Sequence, residues 1–111
     1  MFAEVKAMLP VSGDAYDAEI IMQIKAAVLD LTTSAEITLP GTVTISRDNE
    51  TGEVTDTSDL TDELVTTAIA IWCNMRIGNP PNYDNLRKAY ESLKGQMRLS
   101  RTYTTYEEEE A

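Results

Sequence analysis

Residues 59 to 101 read DLTDELVTTAIAIWCNMRIGNPPNYDNLRKAYESLKGQMRLSR, and the spacing of apolar residues in this stretch decides the fold. Leu60, Leu64, Ala68, Ile71, Trp72 and Met75 recur at three- and four-residue intervals, and Leu86, Tyr90, Leu93 and Met97 do so again. Each set marks one face of a helix. Between them stand Gly78, Asn79, Pro80 and Pro81, which cannot continue a hydrogen-bond ladder. The stretch therefore predicts two helices packed as an antiparallel pair, with Leu64, Ala68, Trp72, Leu86, Tyr90 and Leu93 in the core and Trp72 at its centre.

The helix ends carry their own signals. Asp59 is placed to cap the first helix, with Asp62 and Glu63 in the first turn, where the positive end of the helix dipole favours acid. Arg76 falls in the last turn, Gly78 can take the left-handed terminating conformation, and Asn82 is placed to cap the second helix. Gly95, inside that helix, costs on the order of 1 kcal/mol relative to alanine. Either another backbone approaches it or the helix bends there.

Upstream, residues 2–9 predict a short helix ended by Pro10. Asp14 is placed to cap a long helix from Ala15 to Glu36. Its stripe of Ile20, Ile24, Ala27, Val28 and Leu31 is widened by Ile21, Met22 and Leu29, so contact on more than one side is expected. From 37 to 58 the period changes to alternation. Residues 42–47 and 53–57 predict a β-hairpin whose loop, Asn49 to Gly52, pairs Arg47 with Val54 and puts Val43, Ile45 and Val54 on one face. A two-stranded hairpin with so few apolar residues is marginal alone. It is expected to project as an arm, at about 38–58, that gains order against a neighbouring subunit.

The fold class expected is thus mainly α: three principal helices in a bundle, a short N-terminal helix, and a hairpin or extended arm between the long first helix and the C-terminal pair. Residues 1–101 form one domain in this reading, and 102–111 a flexible acidic tail.

Composition narrows the functions. The formal charge of −10 divides unevenly: residues 1–63 carry −10, residues 64–106 carry +4 and residues 107–111 carry −4. This opposes non-specific nucleic-acid binding, which needs a concentrated basic surface. The cations gather instead on and beyond the last helix, at Arg87, Lys88, Lys94, Arg98 and Arg101, where they form a solvated face or a docking face for an acidic neighbour. Tyr103 and Tyr106 stand in the tail as anchors for a partner, ahead of four glutamates.

The chain contains no histidine, which removes the commonest general base, the commonest metal ligand and the Ser-His and Cys-His nucleophile pairs. The acidic run 48–53 lacks the ligand spacing and twelfth-position glutamate of a calcium loop and reads as a turn. Cys73 is the only cysteine and lies in the most apolar helix, as a buried thiol would. No catalytic constellation, metal or cofactor is expected, nor is a membrane span, since no apolar run nears the roughly 18 residues required.

Three segments bear a resemblance. The run Leu64 to Trp72, then Gly78-Asn79-Pro80, then the motif Tyr-x-x-Leu-Lys-x-x-Met-x-Leu-Ser at Tyr90 to Ser100 resemble the C-terminal half of small head-tail connector proteins, the DNA-packaging adaptors of tailed bacteriophages and prophages. Asp14, Asp17, Ile20, Ile24 and Ala27 match the N-terminal half more loosely.

The resemblance implies a structural virion protein at the head-tail interface, made in the host cytoplasm and catalysing nothing. It implies a homo-oligomeric ring of about twelve copies, closed by heterologous contacts. The ring would sit under the portal protein, contact a tail-completion or stopper protein below, and pass genomic DNA through its lumen without sequence-specific binding. Portal or subunit contact would fall on Arg87, Lys94, Arg98, Arg101, Tyr103 and Tyr106, and the inter-subunit arm would use Val43, Ile45 and Val54. The alternative is a helix-turn-helix DNA-binding regulator spanning residues 60–98, although its helices are long and its linker holds two prolines.

Overall fold

The computed structural model describes residues 1–77 and 80–100. Four helices and a two-stranded antiparallel sheet follow one another as α1 (Phe2–Ala7), α2 (Asp17–Leu29), a π-helical turn (Asp30–Ser34), β1 (Ile45–Arg47), β2 (Val54–Asp56), α3 (Glu63–Arg76) and α4 (Tyr83–Leu99). Helix α3 is the central element, with α1, α2 and α4 all packed on it. One continuous apolar cluster joins them. It holds Val5 and Leu9 from the first segment, Ile20, Ile24, Ala27 and Leu31 from the second, Val65, Ala68, Ile69 and Cys73 from α3, and Tyr90 and Met97 from α4.

The mainly helical architecture with an inserted hairpin agrees with the sequence reading; several boundaries do not. The expected long helix from Ala15 to Glu36 begins only at Asp17. Asp14 supplies a backbone carbonyl to the Asp17 N–H at 3.3 Å rather than a side-chain cap. At its far end α2 loosens into the π-turn, in which the Ala35 N–H reaches back to the Asp30 carbonyl at 3.1 Å. Glu36 follows in the left-handed conformation, φ 57°, and ends the helical path. The wider turn still keeps Leu31, Ala35 and Ile37 buried.

The cap of α3 also moves. Asp62, three residues beyond the expected Asp59, accepts a hydrogen bond from the Val65 N–H at 3.0 Å. Asp59 is occupied elsewhere: its carboxylate takes both the Thr42 N–H (2.6 Å) and the Thr42 hydroxyl (2.9 Å), closing the base of the hairpin. Thr44 and Ser58 continue the closure, with the Thr44 N–H donating to the Ser58 hydroxyl at 2.8 Å. Asn82 stands at the N-terminus of α4 but makes no side-chain cap bond.

Within the sheet the register is the expected one, with Arg47 opposite Val54 and Ile45 opposite Asp56. The tip is built locally. The Asp48 carboxylate accepts from the N–H groups of Glu50 (2.8 Å) and Thr51 (3.2 Å), which hold it below the ordinary carboxylate range, and Gly52 takes φ 78° to turn the chain back.

The hairpin is not the freely projecting arm that the sequence suggested. Ile45 is 3 % exposed within its own chain, and Val43 and Val54 pack, partly buried, against the same core. Within the chain the apolar face expected to await a neighbour is covered at Ile45 and in part at Val43 and Val54, while Thr44, Ser46 and Thr55 on the strands are exposed along with most of the tip. Deleting residues 43–55 would therefore breach the core rather than trim an accessory.

Two glycines separate cleanly. A Cβ on Gly41 would stand 2.7 Å from the Leu60 Cα, whereas one on Gly95 would meet nothing within 4 Å. Gly41→Ala should lose about 1–3 kcal/mol through forced overpacking. Gly95→Ala should gain up to about 1 kcal/mol for the isolated chain. Urea denaturation of both variants against the parent chain checks the contrast.

Candidate assembly surface

The interior of the helical layer is tied by polar contacts that the outer surface then inherits as fixed geometry. Tyr90 is 1 % exposed, and its hydroxyl donates to the Asp30 carboxylate at 2.7 Å. Lys94, one turn further along α4, donates to the same oxygen at 3.2 Å and lies 5.1 Å from the Tyr90 ring centroid. Burial opposes ionisation of Asp30, but the Tyr90 hydroxyl and the Lys94 ammonium outweigh it and hold its pKa below the ordinary 3.8. Burial, reinforced by the Asp30 charge, pushes the Tyr90 phenol in the opposite direction, upward.

Trp72 lies at the rim of this cluster. It is partly buried, its ring centroid 5.3 Å from that of Tyr90, with the Arg76 guanidinium 4.2 Å above it and its indole N–H donating to Gln23 at 3.1 Å. Tyr90, not Trp72, is therefore the large side chain at the centre. Ala68 is fully buried beside it, while Leu64, Leu86 and Leu93 are partly buried and pack against the core. The Cys73 thiol is fully enclosed, and burial pushes its pKa up to about 12.

A second tie fastens the start of the chain. The Asp56 carboxylate accepts from the Phe2 N–H at 2.6 Å, pairs with the Met1 amino group at 2.9 Å and takes the Ser58 N–H at 3.0 Å. Burial works against its charge, yet these donors, Ser58 foremost, drive its pKa well below the carboxylate range. A third tie is the ion pair of Lys6 with Asp17 at 2.7 Å, the latter only 8 % exposed at its side chain, which links α1 to α2.

These ties redistribute the residues that the sequence offered for docking. Arg87 and Arg98 are exposed on α4, with Lys88 beside them. Lys94 is already engaged within the chain: its side chain is 15 % exposed and its ammonium is shared between Asp30 and Glu91. Arg101, Tyr103 and Tyr106 lie outside the described residues. Sequence reasoning passed over Asp30 and Asp56; the signal for the first was an acid at the end of an apolar stripe, facing a helix that carries Tyr90 and Lys94 four residues apart.

An open groove of about 510 Å³ runs between α1 and the start of α3, lined by Met1, Glu4, Met8, Leu60, Glu63 and Thr66. Among the described residues no group of three or more potential metal ligands occurs, and no helix is long and apolar enough to cross a membrane. Large apolar side chains stand exposed at Met22, Leu29 and Leu99, at 61, 64 and 88 %, and α4 carries exposed cations.

Because Asp30 and Asp56 are held below their ordinary value of 3.8, their stabilisation is complete above that pH and is lost as acid protonates them in the folded chain. Thermal unfolding followed from pH 7 to pH 2 should show Tm falling below about pH 4, and Asp30→Asn with Asp56→Asn should flatten that fall. At neutral pH, Tyr90→Phe should cost about 1 kcal/mol by leaving the half-buried Asp30 carboxylate short of a donor.

Comparison with curated proteins and with solved structures found no significant similarity. The family model described as phage connector protein matches residues 1–104, nearly the whole chain. With its helices, its inserted hairpin and the two halves of the recognised pattern now joined in one core, this chain belongs to the phage connector protein family.

Proposed function

We propose that the chain is the repeating subunit of a connector ring of about twelve copies, seated under the portal and joining the DNA-filled head to the tail. The observation that carries this reading is the family match over residues 1–104. The surface supports it. Large apolar side chains remain in solvent on α2 and at the end of α4, as in a subunit completed by its neighbours. The portal sits on one rim and a tail-completion protein on the other.

Genomic DNA passes through the lumen. The net charge of −10 suits that role, because a lining of like charge lets the duplex slide rather than adhere. Portal contact falls on the exposed cations of α4, Arg87 and Arg98, and on Arg101, Tyr103 and Tyr106 beyond them. A helix-turn-helix regulator has no observation in its favour: α4 opens on Tyr83, Asp84 and Asn85, and an acid at that end repels the phosphates that a recognition helix approaches.

Electron microscopy of the purified protein, alone and mixed with portal protein, tests the assignment; rings capping the portal are expected. Arg87→Glu with Arg98→Glu should abolish portal joining and leave the circular-dichroism helicity unchanged. Unaltered portal binding would remove those residues from the interface, and a protein that stays monomeric with and without portal would refute the ring.

A further inference from the structure

Helix α2 has two apolar faces. Ile20, Ile24 and Ala27 are buried in the core, while Met22 and Leu29, seven residues apart and so on one side of the helix, stand 61 and 64 % exposed with Ala26 between them. Nothing among the described residues covers this outer stripe. Burying both large side chains would favour association, so the stripe is a substantial unfilled surface.

Helix α4 carries an equally unexplained feature. Gly95 sits mid-helix in solvent, at a conformational cost, with open space where its side chain would be. Its helical neighbours on the same outer side are Lys88, Ser92 and Leu99, the last 88 % exposed. A bare notch flanked by one leucine is what a second helix needs in order to approach closely.

The two faces match in charge and in length. On α2, Glu19 precedes Leu29 by ten residues; on α4, Lys88 precedes Leu99 by eleven, and both charged residues are exposed. Laid parallel, the helices bring Glu19 opposite Lys88 and Leu29 opposite Leu99, with a mismatch of one residue, about 1.5 Å. Met22 and Ala26 then lie over Ser92 and Gly95. An antiparallel pairing would set Glu19 beside Leu99 and Lys88 beside Leu29.

We infer that the outer face of α2 docks in parallel on the outer face of α4 of a second copy of this chain, and that this heterologous contact closes the ring. The inference rests on the ring reading and deepens it by naming the two surfaces. Both α2 and α4 pack on α3 and turn these faces away from it, so each subunit presents one surface of each kind. The contact also gives the Gly95 notch its purpose: the position trades helix propensity in the isolated chain for a close approach in the assembly.

The test mixes two single variants, Leu29→Cys and Leu99→Cys, before assembly and oxidises them with diamide; the native thiol, Cys73, is fully buried and does not compete. A disulfide-linked dimer in the mixture, absent from either variant alone, is expected. Rings that form without that cross-link, or equal cross-linking in a single-variant sample, would overturn the interface and leave the ring reading standing. Failure of the parent chain to assemble with or without portal would overturn both.

Charge reversal supplies the second arm. Glu19→Lys and Lys88→Glu should each raise the concentration for half-assembly by roughly fivefold. The double variant should restore assembly; independent, additive losses would overturn the pairing. Both residues are exposed, so the fold is not at stake, and circular dichroism verifies that.

Discussion

A carboxylate shared by a phenol and an ammonium holds this molecule's layers in register. Helices α2 and α4 both pack on α3, and the π-turn that ends α2 is tied to α4 through Asp30, Tyr90 and Lys94. Apolar packing alone would tolerate rotation of α4 about its axis by a fraction of a turn. A buried phenol fixed at 2.7 Å from a single oxygen does not. That constraint sets which face of α4 is outward, and hence that Arg87, Lys88, Gly95 and Leu99 look into solvent.

The same economy appears at the other end of the bundle, where Asp56 collects the Phe2 and Ser58 N–H groups and the Met1 amine, and Asp59 collects Thr42. Acids dominate residues 1–63, and a good number of them accept backbone hydrogen bonds even where they remain exposed. Asp48, Asp59 and Asp62 each satisfy N–H groups that turns and helix starts would otherwise leave unpaired. The acidity of the N-terminal half is thus partly structural.

Much of this was legible from local pattern. Periodicity located α3 and α4 and most of their core, and loop length with Gly52 set the hairpin register, because both depend only on near neighbours in sequence. What was misread depends on distant ones. Asp59 and Asp62 look alike as caps until Thr42 claims the former. Ile45 looks like an arm residue until the core beside α2 covers it, and Lys94 looks like a surface cation until Asp30, 64 residues away, takes it up. Trp72 seemed the centre from its place on the apolar stripe of α3; its indole nitrogen needs a partner, and Gln23 at the rim provides one.

Trp72 and Cys73 adjoin on α3 yet report on different things. The single indole, wedged between a guanidinium and a phenol ring, is an optical gauge of whether α2, α3 and α4 are seated together. The single thiol, enclosed and hard to ionise, reacts with an alkylating reagent only when the bundle opens, so its labelling rate is a clock for that opening. Together they let rigid docking of subunits be told apart from assembly that must first loosen each one.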